Sequence, residues 1–450
     1  MQKKFTQYKP YYKSSLKLAI PVVISQLGNT LVQTADSIII GQFAGTDQLA
    51  AVSLVGSLFT VILVIGLGIS YGLTPLIAQE NGRKNYGECG RLLSNSLIIN
   101  ITTGILLFLL IYFGSMLAID HLDQSPEVVK YAKPFLLLLG ISIIPLMVFN
   151  TFKQFTEGLS FTKQAMTISI WGNVINIGIG IILVKGFFGI QPMGVRGVGI
   201  STLIDRCLMA IAMGLFVFRS GRFKPYLQHF KLFFIDKIRT VRIFKIGLPV
   251  AMQSVFEISA FSAAALLIGT IGAVQQAAHQ VAINLASMTY MMASGIAAAA
   301  AIKTGNNYGS QNFKELRQYA FSSYHIVILF MSATALLFIT CNHLLPWLYT
   351  SDKNVIAIAS QLLIFAGLFQ LFDGSQVVGL GILRGMGDVN IPTLITFLAY
   401  WVVGLPVGYL LGIYFNFGAM GVWTGLTLGL LVSAVLLYLR FNKQSKKLLV

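Results

Sequence analysis

The chain has 450 residues, of which 56% are hydrophobic and 10% are charged. A soluble protein of this length carries about 25% charged residues, so a soluble globular domain is excluded and a polytopic membrane protein is indicated. The net charge of +17 raises nucleic acid as a partner, but the placement of that charge along the chain excludes it.

Twelve apolar stretches of about 20 residues or more are long enough to cross a bilayer. They cover 16–40, 48–78, 92–118, 132–155, 165–189, 194–218, 241–268, 276–302, 318–348, 355–382, 391–413 and 420–440. The stretches 48–78 and 318–348 are long and are expected to tilt or bend. The first contains PVVISQLGNTLVQTAD, residues 21–36. Gln26, Asn29, Gln33 and Asp36 follow at steps of three, four and three, which return to one face of a helix. An unpaired carboxylate in hydrocarbon is costly, so this polar stripe should face protein or a water-filled cavity.

With the N-terminus inside, 26 of the 32 Lys and Arg fall on cytoplasmic segments. Lys130, Lys133, Lys185, Arg196 and Lys353 fall on the opposite side, and Arg206 lies within a span. This is the positive-inside distribution, which expects both termini in the cytoplasm and a multi-pass protein of the plasma membrane, the inner membrane in a Gram-negative cell. The basic excess is thus a topology signal. The first span reads as uncleaved, because its apolar run is too long for a signal peptide. Cys89, Cys207 and Cys341 are scattered and suggest neither a disulfide framework nor a metal site. The loop from Arg219 to Lys245 carries eight basic residues, and FKLFFIDKIRTVRIF (230–244) fits an amphipathic helix lying on the anionic leaflet.

The chain repeats itself. Lys17, Pro21-Val22 and Gly41 recur as Lys245, Pro249-Val250 and Gly269, 228 residues on. At an offset of 227, Gln48 matches Gln275, Gly68-Ile69 matches Gly295-Ile296, Glu88 matches Glu315, and Gly140 and Gly158 match Gly367 and Gly385. Met193-Gly194-Val195 pairs with Met420-Gly421-Val422 in the same register. A constant register across six spans indicates duplication. Six is even, so the halves have the same orientation. The expected fold is all-α, with twelve transmembrane helices in two six-helix halves related by a pseudo-two-fold axis along the membrane normal. The expected division is 1–220, a basic amphipathic linker 221–240, and 241–450.

Four acids lie within spans: Asp36, Asp205, Glu257 and Asp373. Asp205 adjoins Arg206 and reads as a locally neutralised structural pair. The other three have no neighbouring base. Their repeat counterparts are Ala264, Asn29 and Leu146, so the fold is duplicated while these charges are not, which suggests a task divided between halves. Gln253 precedes Glu257 by one turn, and Gln370, Asp373 and Gln376 run at steps of three. Gln280 and Asn284 in AAHQVAINLAS (277–287) and Asn173 and Asn176 in the fifth span add polar faces. Together these residues are expected to line a midplane cavity. His279 reads either as a proton carrier or as an ordinary polar residue near a span end. The dipeptide Gly-Lys never occurs and HExxH is absent, so ATP-driven pumping and metal-dependent hydrolysis lose support. The reading is a non-enzyme without cofactor.

The set formed by Pro21 with Gln33–Asp36, AAHQVAINLAS, LRGMGD (383–388) and the two MGV pieces resembles the multidrug and toxic compound extrusion (MATE) family over nearly the whole chain. Within it, Glu257 and Asp373 resemble the NorM branch. The resemblance implies a secondary antiporter exporting hydrophobic cations, with Asp36, Glu257 and Asp373 as the cation-coupling acids. Phe369, four residues before Asp373, is where an aromatic ring beside a bound cation is expected, or else a packed Phe. Relatives of the DinF and archaeal kind carry an aspartate in span five, four residues after the second Asn of N-x-x-N. Here Asn173 and Asn176 are present but that position is Gly180, which puts a first-half cation site of that kind in doubt.

Glu257 and Asp373 suit an oxygen cage for sodium, to which Gln253 and Gln376 could add neutral oxygens. A single shared proton is the alternative, and the NorM resemblance implies sodium. Expected partners are small hydrophobic cations and membrane lipid, with no nucleic acid, and function as a monomer. The competing reading is a lipid-linked oligosaccharide flippase. Its phosphate substrates call for Arg or Lys in the cavity, whereas the intramembrane charges are acidic except for Arg206.

Overall fold

The computed structural model describes the backbone of residues 2–121, 125–232 and 234–449. Among these residues twelve helices are long and apolar enough to cross a membrane. In order they are span 1 (Tyr8–Phe43), span 2 (Thr46–Gly82), span 3 (Tyr86–Ile119), span 4 (Pro126–Gly158), span 5 (Lys163–Lys185) and span 6 (Val195–Arg219). Span 7 (Lys237–Ile271), span 8 (Ala273–Gly309), span 9 (Phe313–Thr340), span 10 (Lys353–Gly385), span 11 (Asn390–Tyr414) and span 12 (Gly418–Lys447) follow. The protein is an all-helical, multi-pass membrane protein.

Local chemistry sets the helix ends. Span 2 is interrupted at Tyr71-Gly72, where the helix Thr46–Ser70 gives way to Leu73–Gly82. Span 9 stops at Thr340 and not near 348, and a separate turn, Leu344–Trp347, follows. Span 5 stops at Lys185, not 189, because Gly186 takes the left-handed conformation at φ 78° and ends the helix. Span 11 is expanded to a π-helix over Leu398–Gly404 and again over Leu410–Tyr414. Pro406 lies between the two and has no N–H to keep the α-helical ladder regular.

Contacts divide the chain into two compact units. The N-unit is Ile24–Ala251, and the C-unit is Met1–Val23 with Met252–Val450. Both boundaries fall inside helices, two residues after Pro21 in span 1 and two after Pro249 in span 7, whereas the sequence places the joint in the loop 221–240. Close backbone approach explains where the helices divide. Gly68 of span 2 leaves no room for a Cβ because the backbone of Ala251 lies against it, and Gly295 of span 8 is closed in the same way by Val23.

The two units repeat one packing scheme. In the N-unit, span 4 touches spans 2, 3 and 6, and span 5 packs on span 6. In the C-unit, span 10 touches spans 8, 9 and 12, and span 11 packs on span 12. The 227 register survives in detail. Gly158 packs on Thr74 O and Ile77, and Gly385 on Ala301 O and Thr304. Lys84 and Gln311 both have positive φ, 61° and 57°.

One expected match is out of register. Gly194 (φ 53°) and Gly418 (φ 64°) open spans 6 and 12. The next backbone N–H in each case, Val195 N and Ala419 N, donates to Gln48 Oε1 and to Gln275 Oε1, both at 2.7 Å. These equivalent bonds are 224 residues apart in spans 6 and 12. The pairing of Met193-Gly194-Val195 with Met420-Gly421-Val422 was therefore displaced by three residues, close to one helical turn.

The basic loop also differs from expectation. Among the described residues of 230–244 there is no separate amphipathic helix. Residues 230–232 and 234–236 are not helical, and Lys237 begins span 7. Asp236 Oδ1 accepts from Ile238 N at 2.8 Å and Arg239 N at 3.2 Å, which caps that helix. Arg239 donates to both oxygens of Glu88 at 2.9 and 2.8 Å, and Arg242 donates to Glu80 at 2.5 Å. Protein carboxylates engage these two arginines.

Candidate functional site

In the N-unit the polar stripe of span 1 is half-buried at Gln26 and Asp36 and exposed at Asn29 and Gln33. Asp36 Oδ1 is nonetheless buried and has no hydrogen-bond partner. The charges that reach Asp36 come from span 6, from Arg206 and Asp205. Asn173 of span 5 packs against Gly28 of span 1. Asn176 is 1% exposed. Its amide donates to Thr202 Oγ1 at 3.4 Å, its carbonyl accepts from Ser201 Oγ at 3.3 Å, and it lies beside Asp205. Gly180 faces Ser201, so at the position where some relatives have a carboxylate this chain has a small residue opposite a hydroxyl. Asp205 and Arg206 do not bond each other. Asp205 turns to Asn176, and Arg206 Nη1 donates to Ser142 Oγ at 2.6 Å. Neighbours on a helix point about 100° apart, so the two make no direct ion pair, while the charge of each still reaches the other.

In the C-unit, Glu257 of span 7 accepts a hydrogen bond from the Tyr290 phenol of span 8 and lies within reach of the charge of Arg384. Asp373 of span 10 is buried, is reached by the charge of Glu257, and keeps Oδ1 without a partner. Gln376 donates to Tyr400 Oη at 2.9 Å, so this amide is engaged by a phenol. Gln253 donates to Val389 O and Thr393 Oγ1 at 3.3 and 2.9 Å and leaves Oε1 buried without a partner. Gln370 is fully buried, and neither of its amide atoms has a partner. Gln280 donates to Asn284 at 3.2 Å on one face of span 8. Phe369 packs against Phe261 and Trp423, with centroids 6.0 and 5.2 Å away. His279 is buried, and its Nδ1 accepts from the Trp423 indole at 3.0 Å.

Sequence reading missed three participants, Tyr290, Tyr400 and Arg384. Tyr290 lies ten residues after Gln280 on span 8 and does not break an apolar pattern as an acid does, and Arg384, inside LRGMGD, lies beyond the apolar stretch 355–382 but within the helix Lys353–Gly385. Among the described residues no group of three or more His, Cys, Asp or Glu is assembled as for a transition metal.

The MatE family model matches the chain twice, at residues 21–182 and 249–410. The chain belongs to the MatE family. The two matches start 228 residues apart, which is the repeat read from the sequence. The multidrug resistance protein NorM of Photobacterium profundum is 32% identical over 440 residues, 97% of this chain and 96% of that one. MdtK of Yersinia pseudotuberculosis is 33% identical, with the same coverage. A probable NorM of Bacillus licheniformis is 30% identical over 95% of this chain and 94% of its own. Among solved structures, the eukaryotic MATE transporter AtDTX14 superposes with a TM-score of 0.87 at 22% identity, covering 98% of both chains. A MOP superfamily transporter of Pyrococcus furiosus gives 0.85 at 20% identity over 98% of this chain and 97% of that one. These two likenesses support the family's fold.

Proposed function

We propose that the protein is a secondary antiporter that exports hydrophobic, cationic compounds in exchange for sodium or protons. The observation that carries this reading is a carboxylate oxygen in each unit, Asp36 Oδ1 and Asp373 Oδ1, buried within a spanning helix without a partner. A buried charge needs a counter-charge. A proton, a sodium ion or the positive end of a substrate each supplies it. Relatives that bear the name multidrug resistance protein support the substrate class. Exposed amides on span 1, Asn29 and Gln33, suit a water-filled path better than lipid.

Ions and substrates that compete for the same acids displace one another, which is exchange. An inward sodium ion gains about 2.3 kcal/mol per 100 mV of membrane potential. We read sodium as the coupling ion. Glu257, Asp373, the Tyr290 phenol and the unengaged Gln253 Oε1 offer the oxygen donors that hard cations choose. A single proton shared by the two acids is the alternative. Asp36, Glu257 and Asp373 carry the cations in this reading. The chain works as a monomer whose halves, 1–220 and 241–450, are related by an axis along the membrane normal and expose the site alternately. No covalent step and no cofactor is involved.

Glu257→Gln and Asp373→Asn test this reading, because each keeps size and hydrogen bonding and removes charge. In cells loaded with a fluorescent lipophilic cation, each variant should lower efflux to the level of cells lacking the protein, at unchanged membrane abundance. Normal efflux by either one removes that residue from the mechanism.

A further inference from the structure

Span 6 carries an arginine that the exchange just described does not use. Arg206 Nη1 donates to Ser142 Oγ of span 4 at 2.6 Å, and its guanidinium lies over the Phe59 ring of span 2, 5.3 Å from the centroid. Among the described residues it forms no direct ion pair with either nearby acid. Ser142 and Phe59 hold the guanidinium, and the carboxylates do not. Those acids are Asp205 and Asp36, whose charges both reach Arg206. Asp205 is 4% exposed and keeps Oδ1 without a partner, and Asp36 Oδ1 is likewise buried and unpartnered. Two carboxylates and one guanidinium sum to a single net negative charge.

We propose that Arg206 is a resident counter-cation that offsets one of the two carboxylates Asp36 and Asp205, so that the N-unit accepts one further unit of positive charge and selects monovalent cations over dications. The proposal rests on the reading of Asp36 as a cation-binding acid. An arginine suits the task because its charge persists through the cycle. A lysine-sized point charge would also satisfy the sum, while a neutral side chain would not. A second buried pair of this unit, Lys153 and Glu157, lies 3.9 Å apart and cancels without changing the sum. The C-unit reaches the same sum from unrelated positions. Glu257 and Asp373 stand with Arg384, whose charge reaches Glu257. In the 227 register Arg384 corresponds to Glu157, so duplication alone does not produce this match of net charge.

The test uses the full-length protein in detergent with Glu257→Gln and Asp373→Asn introduced, so that cation binding reports the N-unit. The probes are tetraphenylphosphonium, a monocation, and a bis-quaternary ammonium dication of similar apolar area. At an effective dielectric near 20, an uncompensated unit charge about 10 Å away shifts an equilibrium about tenfold. Arg206→Gln should therefore raise dication affinity relative to monocation affinity about tenfold. Arg206→Lys should keep the ratio within about twofold of the parent. The double variant Asp205→Asn with Arg206→Gln restores the charge sum and should return the parental ratio; it also decides the matter if Arg206→Gln alone does not fold. An unchanged ratio in Arg206→Gln, or a shifted ratio in the double variant, overturns the counter-cation role while Asp36-dependent binding persists. Loss of all binding in the parent background, or binding that Asp36→Asn leaves intact, removes the cation role of Asp36 itself and the inference with it.

Discussion

Trp423 donates its indole N–H to His279 deep in the C-unit. Nδ1 of His279 is an acceptor there, so the neutral ring carries its proton on Nε2. Trp423→Phe should leave that nitrogen buried without a donor and cost about 1–3 kcal/mol, read as a lowered melting temperature in detergent; an unchanged melting temperature would show that the bond contributes nothing. Phe369 shares the same aromatic cluster, which is why ring spacing alone could not tell a cation-facing Phe from a packed one. The acids were legible because a carboxylate in an apolar run is costly and conspicuous. Tyr290 and Tyr400 were not, since a phenol suits an apolar run until its partner is known. Asp236 lies outside the spans, and the backbone N–H of Arg239 holds its carboxyl below the ordinary value of 3.8. A depressed folded value means that its cap contributes fully above the ordinary value and is lost as pH falls through the folded one. Hydrogen exchange at the start of span 7 should therefore accelerate only as pH falls below the ordinary carboxylate value of 3.8, and Asp236→Asn should remove that acceleration.

At the scale of elements, twelve spans could be counted from composition, but their ends could not. Gly186 ends span 5 through its backbone conformation, and Pro406 separates two π-helical stretches of span 11 without ending the span. Close glycine approaches carry a definite expectation. A methyl at Gly385 would meet Ala301 O at 2.5 Å and Gly305 N at 3.0 Å, whereas Gly178 has nothing within 4 Å. Gly385→Ala should cost about 1–3 kcal/mol, and Gly178→Ala should be neutral or stabilising by up to about 1 kcal/mol. Equal melting temperatures for the two variants would contradict this. The repeat also shows where its copies diverged. Arg239 at the start of span 7 binds Glu88, while its counterpart Tyr11 in span 1 packs on Tyr319 with centroids 4.9 Å apart. One unit closes this corner with charge and the other with aromatic rings. Arg239→Ala should therefore destabilise the N-unit by about 1–3 kcal/mol, measured as faster exchange in spans 2 and 3, without affecting spans 8 and 9.

For the molecule as a whole, the duplication was the most legible feature, because a constant register over six spans needs no side-chain contact to be seen. The division of contacts inside spans 1 and 7 was not legible, since it depends on which glycine accepts which backbone, as Gly68 does with Ala251. The belief that only the fold was duplicated holds for positions but not for net charge. Asp36, Asp205 and Arg206 in one unit, and Glu257, Asp373 and Arg384 in the other, reach one sum from different places. The central claim is that these carboxylates exchange a small cation for an organic one. It is tested most directly by reconstituting the protein in liposomes and following a fluorescent lipophilic cation under separately imposed sodium and proton gradients. The account predicts movement driven by a sodium gradient at fixed pH and abolished by Asp373→Asn. Movement under a proton gradient without sodium, and none under sodium alone, would contradict sodium coupling, and movement under neither would contradict antiport.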